Sequence, residues 1–149
     1  MQGILTIIAI AAGGWWFYAQ ESMKPEVKID QVVTQRRLAD SEEILVAIDV
    51  HVSNVGKTKV ELERGILELS DINPPTPGVL WSRDLPLITL EPGESDQAAF
   101  VTVAVPPEIK TLQIHSLYRV PHSNMYWNLL SAVDIGADTG KKQEATSTK

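Results

Sequence analysis

The chain has 149 residues, a formal net charge of −6 and no cysteine. The missing cysteine excludes disulfides, thiolate metal sites, thioether haem attachment and cysteine nucleophiles together, so any fold must stand on its packed core. An acidic balance without a concentrated basic footprint excludes nucleic acid as a partner and disfavours an anionic headgroup layer.

The first element is apolar. Met1 to Gln20 holds no charged side chain, and from Gly3 to Ala19 the only polar side-chain groups are Thr6 and the hydroxyl of Tyr18. About 17 helical residues at roughly 1.5 Å each give about 25 Å, the lower end of what crosses a bilayer core. One membrane-spanning helix is expected in 1–24, embedded through residues 3–19. Ile4, Leu5, Ile7, Ile8 and Ile10 form its body. Trp15, Trp16, Phe17 and Tyr18 stand where aromatic side chains mark the boundary between acyl chains and headgroups. A cleaved signal peptide is the main competitor, because Ala9, Ile10 and Ala11 have the small-x-small form of a cleavage site. Against it stand the missing basic n-region and the bulky aromatic end. A buried soluble helix fits poorly, since the segment has no polar face.

Thr6, Ala9 and Gly13 share one face of that helix, and Ala9 with Gly13 forms a small-xxx-small pair that lets another helix approach closely. The competing explanation is that Ala and Gly are common in spanning helices. Lys24 and Lys28 follow the span beside Glu21 and Glu26, so charge does not fix the orientation. An N-terminus in the cytoplasm with the bulk exported is preferred by analogy with other anchored β-domains.

Residues 25–136, roughly 110 of them, are expected to form one domain. Between Glu26 and Gly136 there are 16 Asp and Glu against 9 Lys and Arg, a net charge of −7. The first strand is expected over Val27 to Arg37. In the next, Ile44 to Ser53, the residues Ile44, Val46, Ile48, Val50 and Val52 alternate with Ala47, Asp49, His51 and Ser53, the signature of a half-buried strand. Asn54, Val55, Gly56 and Lys57 read as a turn in which Asn and Gly supply positive φ.

A partner strand starts at Thr58, with Val60 and Leu62 inward. Leu67 and Leu69 continue that set in a shifted phase, which predicts a β-bulge or strand break near Arg64 and Gly65. Further strands are expected at Val79 to Asp84, Ala98 to Val105, Thr111 to Val120 and Met125 to Val133. Proline- and glycine-rich connections separate them, including 73–78, Glu91 to Glu94, Pro106 to Pro107 and 121–124. About seven antiparallel strands without an amphipathic helix fit an all-β, immunoglobulin-like sandwich.

The string Ile48 to Gly56, followed by Val60, Leu62 and then Leu90, Glu91, Pro92, Gly93 and Glu94 before Phe100 to Val105, resembles extracytoplasmic bacterial adhesion-type and fibronectin-type-III-like sandwiches. The likeness covers about half the chain and encodes hairpin geometry rather than chemistry. It implies a binding or scaffolding module without an active site. The Cys, Trp, Cys set of antibody domains is missing.

The last segment, 137–149, has no apolar residue larger than Ala and is expected to stay flexible unless a surface holds it.

Candidate chemistry is sparse. His51, His115 and His122 show no local metal-pair spacing, and a site joining His115, His122 and a carboxylate competes with ordinary surface histidine. Met23 and Met125 are too far apart for a soft copper cluster. No nucleophile elbow or phosphate loop occurs, and Asp40, Glu42 and Glu43 read as a solvated loop. No catalytic residue, metal or cofactor is expected, and the chain is not expected to be an enzyme. Trp81, Tyr118, Arg119, Tyr126 and Trp127 form a candidate docking face, because Trp, Tyr and Arg dominate interface hot spots; core packing of Trp81 and Trp127 is the alternative.

These features together predict a single-pass accessory or scaffolding subunit of a larger complex in the bacterial inner membrane, with a periplasmic sandwich and other membrane subunits as partners; a respiratory or photosynthetic assembly is one plausible host, which no residue selects. A tethered ligand or metal carrier and an envelope or secretion scaffold are the alternatives.

Overall fold

The computed structural model describes residues 25–38, 41–73, 78–121, 126–136 and 143–147. The expected spanning helix, with Thr6, Ala9, Gly13 and the aromatic belt Trp15 to Tyr18, lies outside these residues. Among the described residues no helix is long and apolar enough to cross a membrane.

Among the described residues ten strands follow in chain order: β1 (Val27–Arg37), β2 (Ile44–Asn54), β3 (Val60–Leu62), β4 (Gly65–Asp71), β5 (Gly78–Leu85), β6 (Ile88–Leu90), β7 (Ser95–Val105), β8 (Thr111–Arg119), β9 (Tyr126–Asp134) and β10 (Gln143–Ser147). They build a four-stranded sheet ordered β10-β1-β2-β7, a second ordered β5-β4-β8-β9, and a short β3-β6 ribbon. Every pairing is antiparallel.

Alternation is what packs the two large sheets. Ile44, Val46, Ile48, Val50 and Val52 of β2 are all buried, and the intervening residues of β2 are half-exposed. Facing them, β4 contributes Leu67 and Leu69, β8 contributes Leu112, Ile114 and Tyr118, and β9 contributes Trp127, Leu129 and Val133. These side chains form one contiguous core between the sheets, a sandwich-like arrangement whose stability comes from apolar burial.

The phase slip expected near Arg64 is a strand break, with β3 ending at Leu62 and β4 starting at Gly65. At the break the backbone crosses from the small ribbon to the large sheet. A Cβ on Gly65 would collide with the Leu117 carbonyl and press on the Tyr118 ring, so the crossing needs glycine. True register shifts occur elsewhere, between Val50 and His51 against β7 and between Leu69 and Ser70 against β5.

Three strands exceed the expected seven. The β3–β4 stretch is split, the three-residue β6 pairs Leu90 with Val60 and Ile88 with Leu62, and β10 lies along β1. The segment containing β10, expected to be unordered without a holding surface, finds that surface on its own sheet, from Ile29↔Ser147 to Val33↔Gln143. Backbone hydrogen bonding to an open sheet edge does not require large side chains. β7 also begins three residues earlier than alternation predicts, because the polar Ser95, Asp96 and Gln97 pair with Ser53, Val52 and His51.

Candidate functional site

The chain enters the sandwich at Pro25 and Glu26, and β1 runs from there to the opposite end. The entry end gathers the connections 55–59, 63–64, 91–94 and 120–121. Its organiser is Asn54, only 1% exposed. The Asn54 amide donates to the carbonyls of Thr58 at 2.8 Å and Leu90 at 3.1 Å, and its Oδ1 accepts from the Gly56 N–H at 3.0 Å. On the main chain, Asn54 N–H donates to Glu94 O at 2.8 Å, and Asn54 O accepts from the Gly93 N–H at 2.9 Å. Glu26 O in turn accepts from Val55 N–H at 3.0 Å and Gly56 N–H at 3.1 Å. The side chain and main chain of Asn54, with the Val55 and Gly56 N–H groups that follow it, thus tie the entering strand, the 54–59 loop and the 91–94 turn into a single unit.

The 91–94 turn is built as its sequence implies. Glu94 N–H donates to Glu91 O at 3.0 Å, and Gly93 holds φ of 81°, the left-handed value a type II turn requires after proline. The 54–57 turn differs from expectation: positive φ is found at Gly93 and Gly136 but not at Gly56. The Asn54 side chain supplies the turn closure instead.

Two ion pairs stand at this end, Lys59 to Glu91 at 3.5 Å and Arg119 to Glu63 at 3.9 Å, among further charges on Glu26, Lys57, Glu61, Arg64 and Glu94. At the tips Val55, 49% exposed, and Pro92 project beside the exposed Lys57, Glu91 and Glu94. Beside them lies an open depression of about 290 Å³ lined by Pro25, Lys59, Val60, Glu61, Val120 and Pro121.

The candidate docking face divides on inspection. Tyr118 and Trp127 are core residues, 0% and 7% exposed, and oppose each other across β8 and β9. Trp81 is half-buried and packs against the same core. Only Tyr126 and Arg119, paired across the same ladder, stand on the surface. Strand parity carries the signal for this: Tyr118 shares a face with Leu112, Ile114 and Ser116, and Trp127 with Leu129 and Val133. Tyr118 Oη and Trp127 Nε1 have no hydrogen-bond partner among the described residues. Burial first, and the Asp96 carboxylate second, push the Tyr118 phenol well above its ordinary range.

A feature that strand pattern alone does not reveal lies on the outer face of the β5-β4-β8-β9 sheet. Ile66 pairs with Leu117, and on the next outward rung Leu130 pairs with His115, so Ile66, 43% exposed, Leu117 and Leu130, 57% exposed, form a diagonal set of apolar side chains between Glu68, His115 and Asn128. The outer face of the other sheet is mixed: Phe100, 59% exposed, and Val32 flank Asp49 across its two ladders. There Asp49 accepts from Gln97 Nε2 at 2.8 Å and pairs with His51 Nε2 at 3.1 Å, and Lys28 pairs with Asp30 at 3.0 Å.

No group of three metal-ligating side chains lies together among the described residues. His115 sits half-exposed on β8, and His122 lies outside the described residues. A second depression, about 310 Å³, opens between β5 and β7 with Arg64, Arg83 and Asp84 at its rim. No protein-family model matches the chain, and no curated protein is similar to it.

Proposed function

We propose that this chain is a single-pass, membrane-anchored and non-catalytic accessory subunit of a larger complex in the bacterial inner membrane, with an immunoglobulin-like sandwich on the periplasmic side. The observation that carries it is the placement of the apolar segment 3–19. It ends a few residues before Pro25, where the chain enters one end of an all-β domain. The immunoglobulin-like assignment draws on strand order. β1-β2-β7 opposite β5-β4-β8-β9 follows the neighbour order of the A, B and E strands against C′, C, F and G.

Binding would use two surfaces. Thr6, Ala9 and Gly13 form a helix-packing face, and the diagonal set of Ile66, Leu117 and Leu130 is a lateral face of the sandwich. The host complex, respiratory, photosynthetic or otherwise, is identified by what travels with the chain. Purification from native membranes in mild detergent, followed by mass spectrometry, should recover a defined set of membrane subunits. Replacing Ala9 and Gly13 by leucine should deplete that set, and undiminished recovery of every subunit would remove the helix-packing part of the proposal.

A further inference from the structure

We propose that the chain-entry end of the sandwich contacts a zwitterionic lipid headgroup layer directly, with Val55 and Pro92 as its leading tips. This rests on the membrane anchor proposed above. It adds that the domain stands on the bilayer instead of hanging from a free tether.

Reach sets the first constraint. From Tyr18, the last residue of the aromatic belt, to Pro25 is a stretch of seven residues, which spans at most about 25 Å when fully extended. The entry end is therefore the part of the domain nearest the bilayer. β1 has 11 residues, so the opposite end, at Arg37 and Glu108, stands about 35 Å farther away.

Rigidity is the second. Val55 and Gly56 donate to Glu26 O, and Asn54 binds both loops, so the tips are fixed to the residue at which the chain arrives. An anchor that brings Glu26 to the surface brings Val55 with it.

Chemistry is the third. A domain of net charge −7 is repelled by anionic lipid, but this end sets Lys57, Lys59, Arg64 and Arg119 against Glu26, Glu61, Glu63, Glu91 and Glu94, a local balance of 4 − 5 = −1. Exposed Val55 and Pro92, with Val120 and Pro121 beside them, offer the shallow apolar relief that a headgroup layer accepts. A protein partner at the same tips is the competing occupant, and vesicles without other protein exclude it.

Because the chain has no cysteine, a single introduced thiol is a clean probe. The full chain carrying Val55→Cys, Pro92→Cys or, at the far end, Glu108→Cys is labelled with an environment-sensitive dye. It is then reconstituted in phosphatidylcholine vesicles, with and without phosphatidylcholine spin-labelled near the headgroup. Dye at positions 55 and 92 should lose most of its emission to the spin label, and dye at position 108 should keep its own. Vesicle flotation is scored on the same samples. If the chain floats and all three sites are quenched alike or not at all, lipid contact is wrong and the anchor stands. If it does not float, both fall.

Discussion

Asn54 and Tyr118 show opposite ways of burying a polar side chain. Asn54 satisfies both ends of its amide, and those bonds hold the entry end together. Asn54→Ala removes the amide donor from the Thr58 and Leu90 carbonyls, while Gly56 N–H keeps its bond to Glu26 O, and should cost about 2 kcal/mol in urea unfolding. Tyr118 buries a hydroxyl with no partner among the described residues. Tyr118→Phe should therefore be neutral or raise stability by up to about 1 kcal/mol. Its pH dependence has a definite sign. The folded state keeps the phenol protonated to higher pH than the unfolded chain, whose tyrosine ionises at about 10. Stability supplied by this group is fully present below that pH and falls as pH rises through it. Unfolding midpoints across that window should drop less for Tyr118→Phe than for the native chain, and equal drops would contradict the assignment.

At the level of elements, the sheets are pinned by one polar triad. Gln31 of β1, 0% exposed, donates from Nε2 to Ser116 Oγ of β8 at 2.6 Å, and its Oε1 accepts from Ser131 Oγ of β9 at 2.7 Å. Gln31→Leu leaves the fully buried Ser116 hydroxyl without its donor and frees the half-buried Ser131 hydroxyl, and should cost about 2 kcal/mol. Adding Ser116→Ala and Ser131→Ala to that variant should cost less than the sum of the separate effects, a coupling of about 1 kcal/mol in a double-mutant cycle. Strict additivity would show that the triad is not one unit.

The strands differ in how plainly the sequence announces them. β2 is unmistakable because five alternate aliphatic residues all face the core. The break at Gly65 is equally plain, since the inward phase changes there. β6 is three residues long, too short for alternation to register. The start of β7 and all of β10 are polar strands whose order comes from backbone pairing, which leaves no hydropathic trace. For the candidate site, aromatic identity alone does not separate Tyr118 and Trp127 from Tyr126; position parity within β8 and β9 does.

On the scale of the whole molecule, the two ends of the sandwich are unequal. One end receives the chain and is clamped by Asn54. The other is joined by Gln35 Nε2 donating to Asp134 O at 2.9 Å, Gly136 N–H donating to Gln35 Oε1 at 3.1 Å and Ile135 N–H donating to Lys110 O at 2.8 Å. The proposed attachment at the entry end would leave Ile66, Leu117 and Leu130 free for lateral contact. The proposed function needs the apolar segment to be a retained anchor, and that claim has a direct measurement. Membranes from cells expressing the full chain are washed with alkaline carbonate, beside cells expressing residues 25–149, whose described core begins only at Val27. The full chain should stay in the membrane pellet while the shorter one is released. Release of the full chain into the wash would contradict the account at its centre.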